Sequence, residues 1–273
     1  MQLFTYSTLS IIIPAAGIAC LLAYAFILWT LGERGRAREY MVMSVMVLFT
    51  VIAIGGAYVV ANMVVKEIKG ENVTIDDLWS TNVLNRTVER YDEIYRKAVE
   101  WVIYIANTRA TWGLLPGVGY AISESLGAAT FWQNWVFSMA ATTFLALRWF
   151  TLILMYLHPW LLIFGAGLAS VPRFKAVGGV LLSIYLVSGA TVVLIADSSY
   201  DIIFNQYGEY MNVGSTPEWN PTALPTLASR ADKAAQGFMW STMLAIVGTL
   251  LMGILTAGTS RVFEGIPVMF RPL

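Results

Sequence analysis

The chain has one histidine, one cysteine and no net charge, and charged residues make up only 12% of its 273 positions. That is about half the share of a typical soluble protein. A single histidine, His158, excludes a bis-histidine haem, a multi-histidine zinc site and a copper cluster. A single cysteine, Cys20, closes neither an internal disulfide nor a CxxC metal site and reads as a small packing residue. No GxxxxGK[ST] loop is present, so energy for any transport must come from a partner. No GxSxG string accompanies His158, which abuts Pro159 and reads as an interfacial structural residue, with proton or substrate contact as the alternative. The expectation is a protein that is not an enzyme and carries no cofactor, metal or catalytic residue. Equal counts of 17 basic and 17 acidic residues also give no global attraction to nucleic acid.

What the chain has is apolar length. It is 58% hydrophobic, its mean hydropathy is +0.66, and the first charged residue is Glu33. A crossing helix needs roughly 20 mostly apolar residues. Five segments qualify: Leu9 to Leu31, Tyr40 to Val65, Gly127 to Leu157, Phe174 to Ala196 and Ala235 to Thr259. Within them lie only two charged side chains, Arg148 and Lys175. The third segment is too long for one upright crossing and is expected to tilt or to break near Arg148. The run after His158-Pro159-Trp160 is too short to span and reads as a re-entrant or interfacial half-helix. Breaking the chain near Arg148 instead makes Trp149 to Val171 a sixth span.

The expected fold is therefore all-α: a polytopic membrane bundle of five to six transmembrane helices with a half-helix and an external amphipathic segment. Residues 1–65 form an N-terminal hairpin, 66–125 the external segment, and 126–273 a C-terminal bundle with an external loop over 197–233. With five spans and the N-terminus outside, Arg34, Arg36, Arg38, Arg173, Lys175, Arg261 and Arg271 collect inside, against Arg230 and Lys233 outside. Six spans divide them almost evenly. The N-terminus has no basic n-region and no small-residue cleavage site, so the first span reads as a retained N-out anchor, giving a multi-pass plasma-membrane protein with a cytoplasmic C-terminus.

Between the spans, Asn82 to Ala106 carries Leu84, Val88, Tyr91, Tyr95, Ala98, Val99 and Val102 at helical spacing, with Asp92/Arg96 and Glu93/Lys97 as i,i+4 pairs. Thr74 with Asp77 forms a capping signal for a short helix before it. Trp101 to Ile122 turns apolar around Arg109 and Pro116 and is expected to lie on the membrane or re-enter it. Asn72 and Asn85 head glycosylation sequons. Residues 197–233 hold five acids and three prolines and read as an ordered loop.

Two features concern contacts. Arg148 and Glu124 are the charges of most interest. Arg148 either snorkels to the interface or touches a solute, an ion or a partner subunit. Ala245, Thr249, Gly253 and Ala257 recur at i+4 in the last span, and Ala15, Ala19 and Ala23 in the first, so helices can approach closely there, within the chain or in a homo- or hetero-oligomer. Trp132, Trp135, Trp149 and Trp160 suit aromatic belts.

One stretch is more specific: Gly165-Ala-Gly-Leu-Ala-Ser-Val-Pro-Arg-Phe-Lys-Ala-Val-Gly-Gly-Val-Leu-Leu-Ser-Ile-Tyr-Leu. It resembles the polytopic membrane subunit of type IV secretion systems, the TrbL-type family, where a small-residue helix leads to a proline-containing turn, then Gly-Gly and an apolar span with a tyrosine. It is most similar to that family's archaeal relative, the CedA-type protein of the crenarchaeal DNA-import system, and abundant aromatic residues with one cysteine suit a thermophilic archaeon. The chain departs from the pattern at Ala190 to Asp197, where that family's span often ends in proline. The resemblance implies a channel or scaffold for translocating DNA or protein, working with a secretion-type ATPase and small pilin-like membrane subunits. It marks Gly165, Gly167, Pro172, Arg173, Gly178, Gly179 and Tyr185 as residues that shape the channel turn, with Arg173 and Lys175 near single-stranded DNA phosphates or the inner leaflet of the bilayer. The alternatives are a small-solute or ion transporter using Arg148 and Glu124, and a structural anchor subunit of a larger complex.

Overall fold

The computed structural model describes residues 3–69, 73–169, 171, 174–214, 217, 218 and 220–265. Among them the chain is helical throughout: α1 (Leu3–Thr30), α2 (Arg34–Lys69), α3 (Ile75–Leu78), α4 (Thr81–Gly113), α5 (Gly119–Ala129), α6 (Phe131–Ala169), α7 (Lys175–Tyr200) and α8 (Leu224–Gly265). Four of these runs are long and apolar enough to cross a membrane: Arg34–Glu67, Phe131–Ala169, Lys175–Gln206 and Pro221–Arg261. The described apolar part of α1, Ala15–Thr30, is shorter. The chain divides into two compact units. The first is Met1–Ser80, Leu154–Thr191 and Leu250–Leu273; the second is Thr81–Ile153 and Val192–Thr249.

In the first unit, α1 and α2 form the tight hairpin that the abrupt charge cluster after Leu31 predicts. Gly32 sits at φ 84°. The amide of Glu33 then reaches the Leu28 carbonyl at 3.0 Å and that of Gly32 the Trp29 carbonyl at 3.2 Å, a Schellman closure that requires a left-handed residue. Tyr24 meets Tyr40 edge to face at 4.8 Å across the hairpin. The Thr74–Asp77 capping box is formed as expected: the Thr74 hydroxyl accepts from the Asp77 amide and the Asp77 carboxylate accepts from the Thr74 amide.

The second unit has its own closed core. Its centre is α4, whose buried side chains are Leu84, Thr87, Tyr91, Ile94, Ala98, Trp101, Ile105, Thr108 and Trp112, alternating three and four residues apart. Val88, Tyr95, Val99 and Val102, placed on one helical face with them by the sequence reading, flank this seam instead. Two threonines hold places in the seam, which is why a count of aliphatic residues misplaces it. Trp101 stacks on Phe137 at 5.5 Å, and Phe137 meets Phe238 edge to face at 5.4 Å, tying α4, α6 and α8 together. Each such fully buried ring contributes on the order of 2–3 kcal/mol. Ala231, Ala234 and Ala235, all fully buried, let α8 approach.

Several expected boundaries move. α4 runs on to Gly113, turns at Pro116-Gly117 with Gly117 at φ 85°, and is followed by α5, so Trp101 to Ile122 is not one surface helix. The third apolar helix begins at Phe131 rather than Gly127, passes unbroken through Arg148 and ends at Ala169. The half-helix expected after Leu157 is the end of that same helix, and the break that the six-span arrangement requires is absent. Pro159 is tolerated because its missing N–H would have served the Met155 carbonyl, and the His158 ring serves it instead, with Nδ1 at 2.8 Å. The loop expected over 197–233 is much shorter. α7 continues past Asp197 to Tyr200 and, as a π-helical turn, to Gln206, and α8 starts at Leu224 after a turn with Pro221 at its first position. Charge marks where water is reached, not where a helix stops.

Candidate functional site

The motif Gly165 to Tyr185 builds a close helix crossing in the first unit. A β-carbon at Gly178 would stand 2.1 Å from the Ala169 amide nitrogen and 2.7 Å from the Gly165 carbonyl oxygen, and one at Gly165 would stand 2.9 Å from Leu182 Cγ. Two backbones touch here with no side chain between them, which only glycine permits. Gly179 is buried and Gly167 half-buried beside this crossing. Pro172 and Arg173 lie outside the described residues. Lys175 opens α7 with only 6% of its surface exposed.

One turn beyond the crossing, Tyr185 reaches a polar and aromatic cluster that the sequence reading missed. Its hydroxyl donates to Asp76 Oδ1 at 3.2 Å, and Tyr58 of α2 donates to the same oxygen. Asn62 Oδ1 of α2 accepts from the Ile75 amide at 2.8 Å, satisfying one of the free amides at the start of α3. Trp79, which ends α3, stacks on Tyr185 at 5.0 Å and on His158 at 5.2 Å, with ring planes within 12°. Its indole fills the place of a missing side chain: a β-carbon at Gly189 would stand 2.5 Å from it. Against family models, curated proteins and solved structures, the chain has no match. The reading of the cluster therefore stands on its geometry. Asp76 is a carboxylate shared by two phenols, so it fastens α2, α3 and α7 at a single atom. It has the form of a structural joint, since a substrate would find both hydroxyls already engaged.

The second unit holds the other ionic groups. Arg148 Nε lies 3.1 Å from Asp92 Oδ1 of α4, close enough for an ion pair though not aligned as a hydrogen bond. Its guanidinium also stands 5.5 Å from the Trp149 ring. Arg148, expected to snorkel to the interface or to touch a solute, an ion or a partner subunit, thus has an ionic partner inside the chain. Asp92 is shared with Arg96, as the i,i+4 spacing implies, while Lys97 turns to Glu100 at 2.7 Å instead of Glu93. Arg90 pairs with Asp197 and lies 5.2 Å from the Tyr200 ring. Burial, then the neighbouring Arg86, hold the Arg90 guanidinium below its ordinary value. A shallow open pocket of about 180 Å³ lies here, lined by Arg86, Glu89, Arg90, Glu93 and Tyr200. Burial alone pushes the Tyr91 phenol up, and its hydroxyl donates to the Val192 carbonyl at 2.6 Å. Glu124 is exposed on α5.

The remaining sequence candidates separate. Ala245 is fully buried, but Thr249, Gly253 and Ala257 are exposed, and nothing lies within 4 Å of a β-carbon built at Gly253. Ala15, Ala19, Ala23 and Cys20 are exposed on α1 as well. Among the described residues, Thr249, Gly253, Ala257 and the α1 alanines stay uncovered, and Cys20 is exposed rather than packed as read. Trp132, Trp135, Trp149 and Trp160 all face outward. Asn72 lies outside the described residues. Asn85 is exposed, but its sequon partner Thr87 is 2% exposed and donates its hydroxyl to the Val83 carbonyl at 2.8 Å.

Proposed function

We propose that the protein is a non-enzymatic channel or scaffold subunit of a DNA-import or conjugation-like translocation machine of type IV secretion type. The observation that carries this reading is the backbone-close crossing of α6 and α7 at Gly165 and Gly178. Gly165 and Gly178, two of the residues that the family resemblance marks, are spent on a close helical contact rather than on chemistry. In this reading α1, α2, α6, α7 and α8 cross the plasma membrane, with the N-terminus outside and the C-terminus in the cytoplasm. Arg34, Arg36, Arg38, Lys175 and Arg261 then share the inner side, as the positive-inside tendency favours. The crossing part of α6 is its second half, because Arg148 is already neutralised by Asp92 and the outward face beyond it, Trp149, Ile153, Tyr156, Trp160 and Phe164, is uniformly apolar or aromatic. A secretion-type ATPase supplies the energy and small pilin-like membrane subunits complete the channel. The open faces of α1 and α8 are where such subunits, or further copies, meet the chain.

DNA uptake in a strain lacking the gene tests the reading. Uptake should be lost, restored by the native chain, and not restored by Gly178→Leu. Unchanged uptake in the deletion would sink it. The solute-transporter alternative predicts flux in proteoliposomes that falls in Arg148→Ala, whereas a residue paired to Asp92 for structure predicts no flux to lose.

A further inference from the structure

The first unit contains two kinds of helix contact, and they differ in strength. α6 and α7 meet backbone to backbone through Gly165 and Gly178, a contact that opens only if the whole helix moves. α2 is held differently. Only 12% of its most apolar stretch is buried, and among the described residues nothing lies within 4 Å of β-carbons built at Gly55 and Gly56. Of its covered residues among those described, Ala37, Ser44 and Val47 lie in the half next to the turn with α1, and Val65 alone lies near the other end. Towards its other end, the hydrogen bonds that fasten it run to α3: Tyr58 to Asp76, and Asn62 from the Ile75 amide.

α3 is in turn seated on α6 and α7. Trp79 occupies the notch at Gly189 and stacks on His158 and Tyr185, while Tyr185 holds Asp76 from the other side. The Thr74–Asp77 capping box keeps the short helix formed by itself, leaving Asp76 entirely to Tyr58 and Tyr185. We propose that α3 is a clasp: Asp76 and Trp79 fasten α2 to the rigid α6–α7 pair, and release of the clasp lets the α1–α2 hairpin part from that pair sideways. A few hydrogen bonds are a reversible fastening, and a glycine crossing is not. The sideways opening would work whatever the protein carries, so the proposal stands apart from the nature of the cargo.

The test measures distances between spin labels in the full-length chain in lipid nanodiscs, on a Cys20→Ser background. One pair, Met63→Cys with Val180→Cys, reports α2 against α7; the other, Phe164→Cys with Val180→Cys, reports α6 against α7. All three positions are exposed. Asp76→Ala should shift the first distribution to longer distances and broaden it, and leave the second unchanged. Tyr58→Phe, which removes one hydroxyl and no bulk, should shift it in the same direction by less. Gly189→Leu, which unseats Trp79, should reproduce Asp76→Ala. An unchanged first distance in all three variants, or equal changes in both pairs, would overturn the proposal.

Discussion

Replacing Gly178 by alanine puts the α6–α7 crossing to a quantitative test. In an unconstrained helix the change is favourable by about 1 kcal/mol, because alanine has less backbone freedom to lose. At Gly178 the new carbon would stand 2.1 Å from the Ala169 nitrogen and 2.6 Å from its Cα, where ordinary contact begins near 3.4 Å. The helices must therefore open by roughly 1.3 Å, and because the obstacles are backbone atoms no rotamer change relieves them. Overpacking of this kind costs about 1–3 kcal/mol, and backbone obstacles put Gly178 at or above the top of that range, so the net destabilisation is about 2 kcal/mol. For a chain of this size that is a fall of about 4–8 °C in the unfolding midpoint. Gly253→Ala is the matched control, since nothing lies within 4 Å of the added carbon, and it should raise the midpoint by about 2–4 °C. Gly165→Ala should fall between them, because its nearest neighbour at 2.9 Å is the movable Leu182 side chain. Circular dichroism of the three purified variants in one detergent measures the series. A neutral or stabilising Gly178→Ala would refute the reasoning, for it would mean that the helices are not in backbone contact.

Three further outcomes follow from the second unit. A double-mutant cycle on Asp92→Asn and Arg148→Met should return a coupling of about 1 kcal/mol, and a value near zero would free Arg148 for another role. Tyr91→Phe should cost about 1 kcal/mol at neutral pH by leaving the Val192 carbonyl without its hydroxyl donor. Because burial raises the Tyr91 phenol, the folded chain keeps a proton that the unfolded chain releases near pH 10; its contribution is full below that pH and is lost as pH rises above it. Alkaline melts should therefore fall less steeply in Tyr91→Phe than in the native chain, and equal slopes would contradict the assignment. Asn85, whose sequon partner Thr87 is buried and bonded to Val83, should carry no glycan when the chain is expressed in a glycosylating host, which mass spectrometry of the intact protein would check.

The features legible in the sequence are those set by neighbours in the chain. The apolar runs give four helices of crossing length, the Thr74–Asp77 spacing gives the capping box, and Asp92 and Arg96 pair as their i,i+4 spacing implies. The misplaced features are those in which a local signal is overruled by a distant partner. Pro159 reads as a helix end until His158 takes over the Met155 carbonyl. Asp197 and Asp201 read as the start of a loop, yet Asp197 meets Arg90 from α4 and the helix runs on beneath it. Arg148 reads as an unpaired charge because Asp92 lies far away in the chain, within a segment whose charges already pair among themselves. The Asp76 cluster was invisible for the same reason: its partners are 18 and 109 residues away, and Asp76 stands beside an acid, Asp77, that already has an obvious local task. Its only sequence trace is an excess, for one capping box needs one acid and this short helix carries two. An acid left over after local accounting, next to a tryptophan and ahead of a Gly-Gly span with a tyrosine, points to a long-range carboxylate–phenol joint. The low charge content of the chain makes that signal readable, because in so apolar a sequence each polar side chain without a local task must find a partner elsewhere in the fold.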